Sequence, residues 1–382
     1  MTNERYDVVV IGAGVAGAAF AAGCAGSGRV LLVERSVWPR DKVCGCCLNA
    51  AALASLANLG LAEEVAASGA AMQCVRLRAS GRAAGFARAG GVAVSRKVLD
   101  GLLVARGVAR GVVFQAETAA IVVGPQPRGA GWLVELRHGG CDRIVEAGLV
   151  IAADGLTGGS LDRLEGFGPR VCGRSWFGVG GALEACAGGP APGEVELCIG
   201  ANGYVGRVRV DAMTTALAGA LDPAWTKRIG GPRRALEAVL DEAGASTIDL
   251  GDVQIRGTGL LSRRRARVSA PDLLVLGDAA GYVEPFTGEG MAWAFAGAGA
   301  AVRMAESGMR GVDIAGAWSR WHAGEVRSRQ RMCGVIRGVL RRPWLVGGAV
   351  ALMGRVPAAA GLAELIARGL ERPYAGGDWV PA

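Results

Sequence analysis

At 382 residues the chain is long for a single core, so two closely joined domains are expected. The net charge of +8 is nearly all arginine, with Lys42, Lys97 and Lys227 the only lysines. The arginines are dispersed, without a basic block and interleaved aromatics, which excludes a nucleic-acid footprint but leaves an attraction for an anionic nicotinamide cofactor or an acidic carrier protein.

The ten cysteines are irregularly spaced and do not make a disulfide framework. Most of them, Cys24, Cys186 and Cys198 included, read as small core residues. Glu4 and Asp7 stand where a basic and then apolar leader would lie, so a cytoplasmic protein is expected.

In chain order, the apolar run Tyr6 to Ile11 reads as a strand and the small-residue stretch Val15 to Cys24 as a helix. Between them stands Gly12-x-Gly14-x-x-Gly17, the strand, turn and helix of a Rossmann-type dinucleotide fold. Gly12 serves the tight turn, Gly14 the approach of a pyrophosphate, and Gly17 the contact of helix with strand. A second strand, Arg29 to Val33, ends at Glu34, roughly 20 residues into the unit, where a ribose-binding carboxylate is expected. Glu34 and its neighbour Arg35 are therefore set among the cofactor-binding residues.

Next comes Lys42-Val43-Cys44-Gly45-Cys46-Cys47-Leu48-Asn49, ahead of a helix that Asn49 would cap. Residues 73–92 alternate enough to join a sheet. Arg96 to Asp100 reads as the start of a helix. Ile151-Ala152-Ala153-Asp154-Gly155 ends another strand. Arg170 to Gly257 carries strand-like runs, among them Trp176 to Val179 and Val195 to Ile199, and a helix around Ala235 to Glu242. Leu273 to Leu276 makes a buried strand, followed by Gly277-Asp278 and then by Pro285-Phe286-Thr287-Gly288-Glu289-Gly290, where a further helix starts. From about Val312 onward the chain reads as helical. Its most apolar run, Trp344 to Met353, is shorter than the roughly 20 residues of a bilayer span. Arg337, Arg341, Arg342 and Arg355 flank that run, and two readings stand for it: packing helices, or peripheral membrane contact.

The late Gly277-Asp278 segment resembles the second flavin motif of flavoprotein aromatic hydroxylases and geranylgeranyl reductases, and the chain is identified with that superfamily of FAD-dependent oxidoreductases. The resemblance implies that Asp278 bonds the ribityl chain, that the helix after Pro285, Gly288 and Gly290 faces the flavin ring, and that Asp154 and Gly155 lie near FAD and an approaching nicotinamide nucleotide. It also implies that Arg96 reaches the ribityl and phosphate region, and that the Cys-Gly segment lies beside the isoalloxazine. A helix N-terminus there suits the negative charge of a reduced flavin. Cys44 is then a proton donor or substrate-positioning group, or half of a redox pair with Cys47, or a packing residue. Cys46, Trp176 and Tyr204 are the candidates for substrate contact. No metal site is expected, and His138 and His322 lie in no motif.

The expected fold class is α/β with an α+β substrate domain. The discontinuous FAD-binding domain takes residues 1–72, 93–168 and 259–330. An inserted antiparallel-sheet substrate domain takes residues 73–92 and 169–258, and a helical region takes 331–382. Gly178-x-Gly180 and Gly257-x-Gly259 lack a third glycine, so NADPH or NADH acts as a transient reductant rather than occupying a second nucleotide fold.

Gly281 follows the Gly-Asp-Ala-Ala run where aromatic hydroxylases usually carry histidine, which favours a reductase. The segment Gly203 to Val210 lacks the reductases' Phe-Pro pattern, which counts against an isoprenoid in particular. Flavin halogenases are set aside because their tryptophan-rich signature has no match. The expected reaction is reduction of a carbon-carbon double bond in a lipophilic or polyketide-like molecule, free or carrier-bound. The alternative is a monooxygenase hydroxylating an aromatic or polyketide ring. A dithiol enzyme and a non-catalytic flavin-binding protein rank below both.

Overall fold

Tyr6 to Ile11 are apolar at almost every position because the strand Glu4–Ile11 has parallel neighbours on both sides, Val8 pairing with Val30 and with Leu149. The computed structural model describes residues 4–370 and Tyr374, apart from 128, 185–188, 246–249, 252, 285, 287 and 309–312. Cys186, Pro285 and Thr287, to which the sequence assigns packing and flavin-facing roles, lie outside the described residues.

The first sheet runs in the order Ser269–Ala270, Leu273–Val275, Cys141–Ala152, Glu4–Ile11, Val30–Val33 and Val113–Gln115, parallel throughout except at the first pair. An antiparallel ribbon, Ala119–Pro125 with Trp132–His138, joins it through Cys141–Ala152. The helix Val15–Cys24 is rich in alanine and glycine, so the helices Arg96–Ala109 and Gly290–Gly308 can both pack closely on it. The result is one large core in which Phe20, Leu31, Leu274 and Phe295 are fully shielded.

A second sheet of eight strands is antiparallel except where Glu194–Gly200 runs parallel to Ala70–Ala79. One face packs Cys198, Val205 and Leu217 on the helix Pro232–Glu242, whose N-terminal proline starts it three residues ahead of the expected Ala235. The opposite face, with Ile199 and Tyr204, meets Leu340, Val346 and Val350 of the helices Arg327–Leu340 and Pro343–Arg355.

Residues 73–92 enter this sheet through the hairpin Ala70–Ala79 and Arg82–Ala93. So does Cys47–Leu48, pairing with Val92–Ala93, although the sequence reading assigned it to the flavin-binding part. The pairing occupies backbone groups at the sheet edge and makes the cysteine segment the seam between the two sheets. Among the described residues no single helix is long and apolar enough to cross a membrane.

Candidate active site

Gly12 ends the first strand at φ +102°, a conformation side-chain-bearing residues rarely adopt, and a Cβ there would lie 2.4 Å from the Ala153 carbonyl oxygen. At Gly17 a Cβ would fall 2.0 Å from the Gly12 oxygen, so helix and strand touch only because both positions are glycine. Gly14 is the N-cap of the helix Val15–Cys24 and provides no side-chain cap. Arg40 and Arg96 approach to 3.5 and 3.7 Å of where its Cβ would stand. Helix-terminal N–H groups flanked by two guanidinium groups suit a diphosphate.

Glu34 is buried and accepts from the amides of Ala13 (3.2 Å) and Ser36 (3.1 Å) and from Arg40 Nε (3.0 Å). Burial raises its pKa, but the charge of Arg40 and the amide donors outweigh that and hold it below the ordinary value. Arg40 also pairs with the buried Asp100 (3.2 Å), which Arg96 holds through two bonds of 2.9 and 2.8 Å. Arg40 received no role from the sequence, although it links Glu34 to the Arg96 helix. Arg35 is exposed and donates to Thr157 Oγ1 (3.3 Å) at the rim.

A cleft of about 1400 Å³, counted out to its open mouth, joins this cradle to the apolar face of the second sheet. Gly14, Gly155, Asp278, Gly288 and Gly290 line one side, and Leu197, Tyr204, Gly206 and Val208 the other. Lys42 stands between them, 3.8 Å from Asp278, its pKa lowered by burial and by nearby Arg96. Asp154 lies outside the lining and accepts from the Ser160 amide (2.9 Å). Its Oδ1 is buried without a hydrogen-bond partner among the described residues. Trp176 also lies outside the lining, packed 6.2 Å behind Tyr204. Its place is taken by Phe286, edge-on to Tyr204 at 5.3 Å, and by Tyr282, neither of which the sequence had singled out for substrate contact.

Cys44, Cys46 and Cys47 all line the cleft. Cys46 takes φ +58°, and this kink turns it back on its neighbour: its amide donates to Cys44 Sγ (3.4 Å) and its thiol to the Cys44 carbonyl (3.5 Å). Donation from Cys46 and the charge of Arg96 bring the Cys44 thiol down to about 6, against the opposing effect of burial. The Cys46 thiol is raised by its bond to Cys44 and by burial. Cys47 is pushed up to about 12 by burial, its thiol bonded to the Gly45 carbonyl at 3.1 Å. Thiolate character is therefore concentrated on Cys44.

Residues 5–167 match the FAD binding domain family. The menaquinone reductase of Mycolicibacterium smegmatis (strain ATCC 700084 / mc(2)155) is 29% identical over 356 residues, covering 83% of this chain and 80% of that protein. Among solved structures, a triple mutant of the flavin-dependent brominase Bmp2 superposes with a TM-score of 0.78 at 18% identity, covering 98% of this chain and 95% of that one. Aklavinone-11 hydroxylase, solved with FAD and aklavinone, superposes with a TM-score of 0.68 at 21% identity over 81% of this chain and 64% of that one. At these identities the brominase and the hydroxylase establish the fold and nothing further.

Proposed function

The chain being an FAD-dependent oxidoreductase of the flavoprotein aromatic hydroxylase-like superfamily, we propose that it takes hydride from NADPH or NADH and reduces a carbon-carbon double bond in a lipophilic or polyketide-like substrate. The carrying observation is the Cys44 thiol, shifted toward neutrality by Cys46 and Arg96 where the glycine cradle meets the apolar sheet face. Bound FAD supplies a two-electron store between nicotinamide and substrate.

The residues of the chain do the rest. Gly14, Arg40 and Arg96 would hold the diphosphate of FAD, Glu34 its adenosine ribose and Asp278 its ribityl hydroxyls. Leu197, Val208, Tyr204 and Phe286 give the substrate an apolar wall that excludes water. One alkene carbon receives the hydride and the other a proton from Cys44 Sγ, so the product gains two hydrogens and the nicotinamide leaves oxidised. A thiol with a pKa near neutrality can both release that proton and regain it. Cys47, held as a protonated thiol, is poorly suited to disulfide exchange, which weighs against the dithiol reading.

The similarity to a menaquinone reductase supports reduction. Ring hydroxylation is the second reading, favoured by the same apolar wall, since oxygen chemistry on a flavin also needs water kept away. The deciding experiment incubates metabolite extracts with the FAD-loaded protein and NADPH, using Cys44→Ala as control, and reads products by mass spectrometry. A gain of two hydrogens that the control loses supports the reductase. A gain of one oxygen atom overturns it.

A further inference from the structure

Three consecutive helices, Arg327–Leu340, Pro343–Arg355 and Pro357–Leu370, turn apolar side chains outward. Met332, Val335 and Val339 recur at helical spacing on the first, Trp344 and Leu352 on the second, and Leu362 and Leu365 on the third. Their exposure is high: 73% for Trp344, 66% for Leu365 and 63% for Val335. Lone exposed apolar residues are ordinary, but stripes on three successive helices are not.

The surrounding charge is one-sided. Residues 327–365 hold seven arginines and a single acid, Glu364, and Arg331, Arg342 and Arg355 are exposed. A helix pair in this region, Pro343–Arg355 with Ala358–Leu365, bends by 119°. Neither helix alone approaches the roughly 20 residues of a span; together they have the length and apolarity of one only as a broken span, and the 119° bend suits two short helices lying along an interface.

We propose that this surface docks on the face of an anionic phospholipid bilayer, with Trp344, Leu352, Leu362 and Leu365 entering the interface and the arginines meeting lipid phosphates. A second copy of the chain is the poorer occupant, because symmetric pairing would bring the arginine-rich segments of both copies together. The inner side of the same helices packs Leu340, Val346 and Val350 against the sheet face that carries Tyr204 and the cleft. A lipid-dissolved substrate would then be held next to the wall of the cleft. The docking itself does not rest on the proposed reaction.

The test uses the full-length, FAD-loaded protein in sedimentation with vesicles of phosphatidylcholine alone and of phosphatidylcholine mixed with phosphatidylglycerol. Binding should require the anionic lipid and should fall steeply near 1 M salt, where screening shortens to about 3 Å. Trp344→Ser with Leu352→Ser should weaken binding by about tenfold or more, and Arg342→Glu with Arg355→Glu should do likewise. Retained flavin absorbance and an unchanged melting temperature show that these surface variants stay folded. Three results overturn the proposal: no binding to anionic vesicles, wild-type binding by both double variants, or a mass of two chains in light scattering that the Trp344/Leu352 variant halves.

Discussion

Asn49 and Glu289, 240 residues apart, meet in a hydrogen bond of 3.0 Å from Nδ2 to Oε1. The other end of the same amide caps the helix Ala50–Asn58, Oδ1 accepting from the Ala52 amide at 3.0 Å. One buried side chain thus ties the end of the cysteine segment to the Gly288-Glu289-Gly290 turn. Asn49→Ala removes the cap and leaves a buried carboxylate short of a donor, at a combined cost of about 3 kcal/mol. Asn49→Asp keeps the cap but sets one carboxylate against another, so it should also melt early and lose flavin. Thermal melts followed by flavin fluorescence check both, and an Asp variant as stable as the parent would mean that the cap alone matters.

The pH dependence of Cys44 follows from its lowered pKa. The thiolate persists down to about pH 6, so alkylation of Cys44 by iodoacetamide should rise with pH, reach half its maximum near 6 and then level off, while Cys47 stays unlabelled well into the alkaline range. Arg96→Met takes away a positive charge and a donor, which moves the Cys44 midpoint upward. In the proposed reaction reduction of substrate needs the protonated Cys44 thiol, so it should decline as pH rises through that midpoint, whereas the proposed reduction of flavin by NADPH should not share the decline. Peptide-level mass spectrometry and stopped-flow absorbance separate the two.

The glycine turn was legible in sequence because its requirements are local: at Gly12, φ +102° and the Ala153 oxygen 2.4 Å from a Cβ leave no place for a side chain, and Gly17 must admit the Gly12 oxygen. Gly288, Gly290 and Asp278 were legible by family resemblance, and the structure brings them to the same cleft. Arg40 was not legible, since the irregular stretch after Glu34 carries no periodicity that would aim a side chain. Cys47–Leu48 is a two-residue strand whose partner lies some 45 positions on, too short for any alternation to show. Tyr204 and Trp176 differ for a geometric reason. Tyr204 shares strand parity with Gly206 and Val208 and so faces the cleft, while Trp176 stands ahead of the strand Phe177–Glu184 and packs behind it.

Arg40 offers a direct test of the cofactor cradle. Arg40→Met leaves Glu34 without its charged partner and removes one of two guanidinium groups from Gly14. Affinity for FAD should fall by about tenfold or more, read by fluorescence quenching on titrating flavin into apoprotein. Asp100 keeps Arg96, so the helix Arg96–Ala109 should remain in place and circular dichroism should change little. Unchanged affinity would make Arg40 a clamp between Glu34 and Asp100 with no part in holding the diphosphate.

Glu196 tests the sheet beside the cleft, whose lining includes its partner Arg207. It is buried between Arg78 and Arg207, accepting from Arg207 Nε at 2.7 Å, and Arg207 is only 1% exposed. A guanidinium cannot shed its proton to escape burial. Glu196→Ala should therefore cost about 3–5 kcal/mol, most of it the penalty of an unpaired buried charge rather than the worth of the bond. Replacing Glu196 and Arg207 together, as in Glu196→Leu with Arg207→Met, should recover most of that loss, because the fully buried guanidinium goes with its partner while Arg78, 28% exposed, can turn to water. Denaturant melts of the single and double variants measure the difference. Arg207 lines the cleft together with Gly206 and Val208, so the double variant also changes the cleft wall, and its stability is read apart from its turnover. A single variant as stable as the parent would mean that water reaches Arg207 once Glu196 is gone.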